Sequence, residues 1–127
     1  MTTDLVPPSC LAGFSVGDSI DGHDLSLFVD DGQEEGCVNL TKFTPYVSIV
    51  LCEGVVVSVT AADECWLGGI DLVGMPVSEA VDRLGIEVLE REGSAVEIWA
   101  LAGGMELYTR DGLVTRISVS DWSLVND

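Results

Sequence analysis

Apolar positions along this chain follow two rhythms: short runs rich in β-branched residues, and one central stretch with helical spacing. Tyr46–Cys52 and Val55–Thr60 are separated by Glu53-Gly54, which predicts a β-hairpin. Their apolar positions are partly continuous, so one of the two strands is expected to be covered on both faces. Ala95–Leu101 alternates as a strand. Met105–Thr109 and Leu113–Val119 flank Arg110-Asp111-Gly112, the strongest short-range hairpin signal in the chain. Leu25–Val29 reads as a short strand ended by Asp30-Asp31-Gly32, and Ile86–Glu90 as an extended segment.

The stretch from Ile70 to Gly85 holds the clearest helix. Pro76 suits the first helical position, where a missing amide costs nothing. Val77, Ala80, Val81 and Leu84 make one apolar stripe, and Ser78, Glu79, Asp82 and Arg83 occupy the other side. Gly85 can end the helix in a left-handed conformation. The first residues read differently: Pro7-Pro8 opposes regular structure, so residues 1–13 are expected to be an irregular lead-in.

A weak internal echo links the two halves. Gly54–Trp66 resembles Gly112–Trp122: a turn glycine, a β-branched strand, then an acid and a tryptophan. Upstream, Phe14–Ile20 answers to Met75–Val81. The expected fold is therefore α+β, mainly antiparallel β-meander and hairpins with one or two short helices. Two divergent helix-plus-meander halves would share one core in a single domain, 1–127. A chain of 127 residues is long enough for one such core.

Charge changes the picture most. The chain carries 22 Asp and Glu against 5 Lys and Arg, a formal charge of −17, while 47% of it is hydrophobic. Disordered acidic tails lack that apolar content, so the acid excess belongs to the surface of a folded domain. Seven acids lie between Asp18 and Glu35 with no Lys or Arg among them. The second group, Glu87, Glu90, Glu92 and Glu97, is partly offset by Arg91. Such a surface aids solubility, as in salt-adapted proteins, and projects a field that attracts basic partners. It disfavours direct nucleic-acid binding and adsorption to anionic membranes. No run of 18 apolar residues marks a membrane helix, and the start has no signal-peptide pattern. Cys10, Cys37, Cys52 and Cys65 form no C-x-x-C pair, so reduced thiols in the cytoplasm are expected, with Cys52 a small core residue.

Candidate chemistry is sparse. His23 is the lone histidine, without sulfurs at zinc-motif spacing and without a local nucleophile, and reads as a solvent-facing or locally bonded side chain. From Asp18, alternate positions give Ile20 and Gly22, so the EF-hand pattern fails. Gly68-Gly69 and Gly103-Gly104 match no phosphate-binding loop. Neither an enzyme nor a metal or other cofactor is expected. Trp66, Trp99 and Trp122 read first as buried indoles with paired N–H groups; alternatively, Trp66 or Trp122 is an aromatic anchor in an acid-lined interface.

In bulk character the chain resembles the bacterial immunity proteins that neutralise toxins, and its Val73–Gly85 segment, Val-Gly-Met-Pro-Val-Ser-Glu-Ala-Val-Asp-Arg-Leu-Gly, is similar to segments in uncharacterised α+β proteins encoded near such toxins. That resemblance implies an inhibitor that binds and occludes a cationic toxin domain, such as a nuclease. Charge would steer the encounter through Asp21, Asp24, Asp30, Asp31, Glu34 and Glu35, with Phe28 as an apolar anchor. The main alternative is a small accessory domain that binds a protein or ligand in a pocket between meander and helix. An acidic DNA mimic is a third reading, and an open strand edge would also permit a homodimer.

Overall fold

The computed structural model describes residues 4–7 and 9–124; Pro8, part of the expected lead-in signal, lies outside them. Short strands β1 (Leu5–Val6), β2 (Cys10–Leu11) and β3 (Phe14–Ser15) come first. β4 (Val29–Glu34), β5 (Cys37–Lys42), β6 (Val47–Cys52) and β7 (Val55–Ala61) form a meander. A small hairpin, β8 (Trp66–Leu67) and β9 (Ile70–Asp71), leads into α1 (Val77–Leu84). A second meander follows: β10 (Val88–Gly93), β11 (Val96–Leu101), β12 (Met105–Arg110) and β13 (Leu113–Ser120). Both meanders belong to one eight-stranded antiparallel sheet in the order β10-β11-β12-β13-β7-β6-β5-β4.

The expected class, mostly antiparallel sheet with a short helix, is the observed one. The hairpins form where turn chemistry requires them. Glu53 and Gly54 have φ of 53° and 78°, and Asp111 and Gly112 have 53° and 81°. Positive φ at both central residues matches the right-handed twist of the flanking strands. The helix ends at Gly85 with φ 67°, its N–H donating to the Val81 carbonyl. Pro76 is the residue before the helix, at φ −55° and ψ 135°, one position earlier than the spacing predicts.

The echo of Gly54–Trp66 in Gly112–Trp122 extends to backbone hydrogen bonds, which set Gly17-Asp18 against Gly74-Met75 where the sequence aligns Phe14 with Met75. Gly17 donates to the Val56 carbonyl at 2.8 Å and Val56 donates to Asp18 at 2.9 Å. In the second half Gly74 donates to Val114 at 2.7 Å and Val114 donates to Met75 at 2.9 Å. The halves then diverge. Where the second continues with Pro76-Val77-Ser78 into α1, the first has Asp21-Gly22, with Gly22 at φ 88°, and no helix forms. The helical counterpart expected for Phe14–Ile20 is thus replaced by β3 and turns.

Three further expectations are corrected. Within the described residues the lead-in is not irregular: β1 and β2 pair, and Leu5 and Leu11 are buried in the core. The strand expected at Leu25–Val29 begins where it was to end, and Asp30-Asp31-Gly32 lies inside β4 with a bulge there. β4 is an edge strand whose residues are all exposed, so it carries no apolar periodicity to read. Third, the register places Cys37 opposite Cys52, and the two are disulfide-bonded with Cα atoms 4.0 Å apart; Cys10 and Cys65 are free. Cys52 is therefore a half-buried bridge residue and not a thiol in the core.

The core lies on one side of the sheet. Val47, Ile49, Val59, Ile117, Val119 and Leu107 meet Leu11, Phe14, Leu72 and Ala80 from the N-terminal strands, the small hairpin and the helix. β7 is the strand with burial on both sides: Val56 to Val59 are all buried, helped by a bulge at Val57 and its central place in the sheet. Cys65 is buried beside this core, and desolvation, followed by repulsion from Asp71, Asp4 and Glu64, pushes its thiol up to about 12. Because that value is raised, the thiol's contribution to stability is full below an ordinary 9.0 and is lost as pH rises toward 12.

Ile117→Ala removes a fully buried side chain beside the junction of the two meanders and should cost about 2–5 kcal/mol in denaturant titration. Val96→Ala, at an exposed site, should leave the midpoint nearly unchanged. In the unfolded but unreduced chain, an alkylating reagent should label two cysteines, and four after reduction.

Candidate functional site

Among the described residues no helix or second sheet packs on the sheet face opposite the core, although Thr41, Ser58 and Ser118 on it are buried. Direct pairing puts Asn39, Val50, Ser58, Ser120 and Thr60 on this face, together with Ser118, Tyr108 and Ile98, and none of them belongs to the core cluster. At its centre the hydroxyls satisfy one another. Ser58 and Ser120 lie 2.8 Å apart, and Thr60 donates to Ser118 at 3.3 Å. Ser48 donates to the Asn39 side chain at 2.9 Å. Toward one rim the Arg116 guanidinium lies 5.9 Å from the Tyr46 ring and 5.8 Å from that of Tyr108. Burial, and then the nearby Glu106 carboxylate, raise the Tyr108 phenol above its ordinary value.

At the β4–β5 edge this face deepens into a groove of about 460 Å³. Cys37 and Val50 supply its apolar lining, and Asp31, Glu34 and Glu35 supply acid. Trp122 completes it. The chain leaves β13 at Ser120, the Asp121 N–H donates to the Val57 carbonyl at 2.9 Å, and a 3₁₀ turn over Trp122–Leu124 follows. That return brings Trp122 to the acid-bearing hairpin from the far end of the chain, half exposed at 50%.

The residues expected to form the binding face separate. Asp31, Glu34 and Glu35 line the groove. The bulge turns Asp30 to the other side of β4, opposite Leu40; its carboxylate accepts bonds from the Gln33 amide at 2.8 Å and the Gly32 N–H at 3.0 Å. Those bonds, the Gln33 one first, hold its pKa below the ordinary carboxylate value. Asp21 and Asp24 lie exposed in the preceding loop. Asp24 accepts the Ser26 N–H at 3.0 Å and is likewise shifted down by its bonds to Ser26. Phe28 is half-buried, edge-on to Phe14 at 5.8 Å with Lys42 5.9 Å from its ring, and packs against the core. The exposed His23 stacks on Phe14 at 4.7 Å.

The other tryptophans take structural places. Trp66 Nε1 donates to Glu64, and Trp99 packs on the core side with the Arg91 guanidinium 4.0 Å from its ring. Trp99 Nε1 is buried without a hydrogen-bond partner. Among the described residues no group of His, Cys, Asp and Glu is arranged to hold a metal ion, and no helix is long and apolar enough to cross a membrane.

No protein-family model matches the chain, and comparison with curated proteins and with solved structures found no match. The site must therefore be read from its own chemistry: an apolar trough rimmed by carboxylates, with one exposed indole.

Because both Asp24 and Asp30 are shifted down, the turns they hold should keep their contribution above the ordinary carboxylate value of 3.8 and lose it as pH falls through the lowered values. Carboxyl-carbon NMR titration should show both ionised at a pH where exposed, unbonded aspartates are half protonated.

Proposed function

We propose that this chain is an acidic inhibitor protein of the immunity type, which binds and occludes a cationic surface on a toxin domain. The observation that carries the proposal is the groove on the uncovered sheet face, where Asp31, Glu34 and Glu35 surround apolar lining and the half-exposed Trp122. Carboxylates steer a basic partner and set its orientation, and an aromatic residue in a desolvated centre supplies the affinity. Eight strands at about 4.8 Å spacing, most of them six residues long at about 3.4 Å per residue, make a face of about 34 by 20 Å, on the order of the 800 Å² per partner of a stable protein complex.

The distribution of acids also favours a basic partner over a second copy. Both sheet edges are acidic: Asp30, Asp31 and Glu34 on β4, Glu90 and Glu92 on β10. Edge-to-edge pairing of two copies would set like charges against each other. A cytoplasmic location, suited to an inhibitor made beside its toxin, applies to the reduced form; the Cys37–Cys52 bond fits an oxidising compartment. A second reading, an accessory domain for a small ligand, draws on the groove volume, which falls in the range of small-molecule sites.

The test is capture of partners from native lysate at low and high salt, followed by binding measurements with the isolated partner domain. Reversing Asp31, Glu34 and Glu35 together should weaken binding by at least about tenfold and flatten its salt dependence. Reversing Glu79, Asp82 and Glu87, which changes net charge equally, should have a much smaller effect. Equal losses from the two triple variants would reduce the acid face to bulk charge. Salt-independent binding of a small molecule in the groove would favour the accessory domain.

A further inference from the structure

We infer that the groove between the β4–β5 hairpin and Trp122 receives an arginine side chain of the partner, its guanidinium stacked on the indole and paired with the rim carboxylates. This rests on the inhibitor reading and names the chemistry of its central contact. The groove has the parts such a side chain needs. Cys37 and Val50 offer apolar surface to the aliphatic stem, whose methylenes gain by leaving water. Trp122 presents an indole, the best aromatic partner for a cation. Asp31, Glu34 and Glu35 supply carboxylates to the planar fork of donors.

The chain's own cations do not fill it. The ion pairs among the described residues are Arg83–Glu79 and Arg91–Glu97. Lys42 lies by Phe28 and Arg116 between Tyr46 and Tyr108; Arg110 ends β12 in the other meander. Among the described residues no Lys or Arg lines the groove. The same sheet already holds this combination once. At its opposite edge Arg91 lies 4.0 Å from the Trp99 ring while its Nη2 meets Glu97 at 3.1 Å. An indole, a carboxylate and a guanidinium are thus compatible with the strand spacing of this fold. At the groove the indole and the carboxylates are present and the guanidinium would come from outside. Arginine fits better than lysine because a flat, weakly hydrated cation can stack and pair at once.

The test titrates the full chain with the peptide acetyl-Gly-Gly-Arg-Gly-Gly-amide and with its lysine and citrulline counterparts, followed by amide and indole NMR. The arginine peptide should shift the Trp122 indole N–H and the amides of Asp31–Asn39 and Val50, binding at least about threefold tighter than the lysine peptide. The uncharged citrulline peptide should give no saturable shift. Trp122→Ala should weaken the arginine peptide about two- to fivefold and erase its advantage over lysine. Glu34→Gln, an exposed and nearly isosteric change, should weaken both cationic peptides. Equal binding of arginine and lysine, or shifts spread over Glu87–Glu92 as strongly as over the groove, would overturn the assignment. If those results came while a basic toxin domain still bound with strong salt dependence, only the arginine contact would fall. Selective arginine binding with no cationic protein partner would instead remove the inhibitor reading and leave the groove's specificity standing.

Discussion

The antiparallel pairing of β7 with β13 is the contact on which the rest of the molecule depends. Four residue pairs, Ser58↔Ser120 to Ala61↔Ile117, turn two separate four-stranded meanders into one sheet. Thr60 and Ser118, which occupy equivalent places in the two halves, face each other across it, so the halves are related by a pseudo-two-fold axis at that pair. One side of the seam is Val59, Ala61, Ile117 and Val119, all fully buried; the other is the row of hydroxyls. Neither meander has enough covering material alone. Joined, they share the N-terminal strands and the single helix as one lid.

That sharing accounts for the uncovered face. One short helix, the three N-terminal strands and the β8–β9 hairpin suffice for the core side, and the 3₁₀ turn at Trp122 reaches the groove on the opposite one. A sheet face without a packed layer must be wettable, and the Ser and Thr hydroxyls at its centre satisfy one another instead of requiring a partner. Acids at both outer strands serve two ends. They discourage strand addition at the sheet edges, and they surround the open face with negative potential. Solubility and recognition thus draw on the same residues, and bulk composition alone cannot separate them; a groove that gathers Asp31, Glu34 and Glu35 around an exposed indole is a more specific arrangement than charge requires.

Much of the fold was legible because it is locally encoded. Glu53-Gly54 and Asp111-Gly112 demand tight turns with positive φ, and the runs beside them are strands wherever those turns form. The stripe Val77, Ala80, Val81 and Leu84 between Pro76 and Gly85 specifies a helix for the same reason. The misreadings have a common cause as well. β4 has no apolar face because it is an edge, so Asp30-Asp31-Gly32 resembled a turn. Phe14–Ile20 carried the echo of a helix-entry segment, but Asp21-Gly22 stops what Pro76-Val77 allows. Cys37 and Cys52 meet only through the β5–β6 register, which no cysteine spacing announces. The acid-rich segment from Asp18 to Glu35 was visible at once, yet strand alternation and a bulge decide that Asp31 and Glu34 face the groove while Asp30 does not.

The sequence by itself determined the strands beside the two tight turns, those turns, the helix and the net charge. Each depends on side chains within a few residues of one another or on composition. Only the tertiary structure decided which sheet face is covered, how the halves meet, and that Trp122 returns to the hairpin at 29–42. Those depend on inter-strand register, where a shift of one residue would exchange the two faces and put the hydroxyl row where the core now lies.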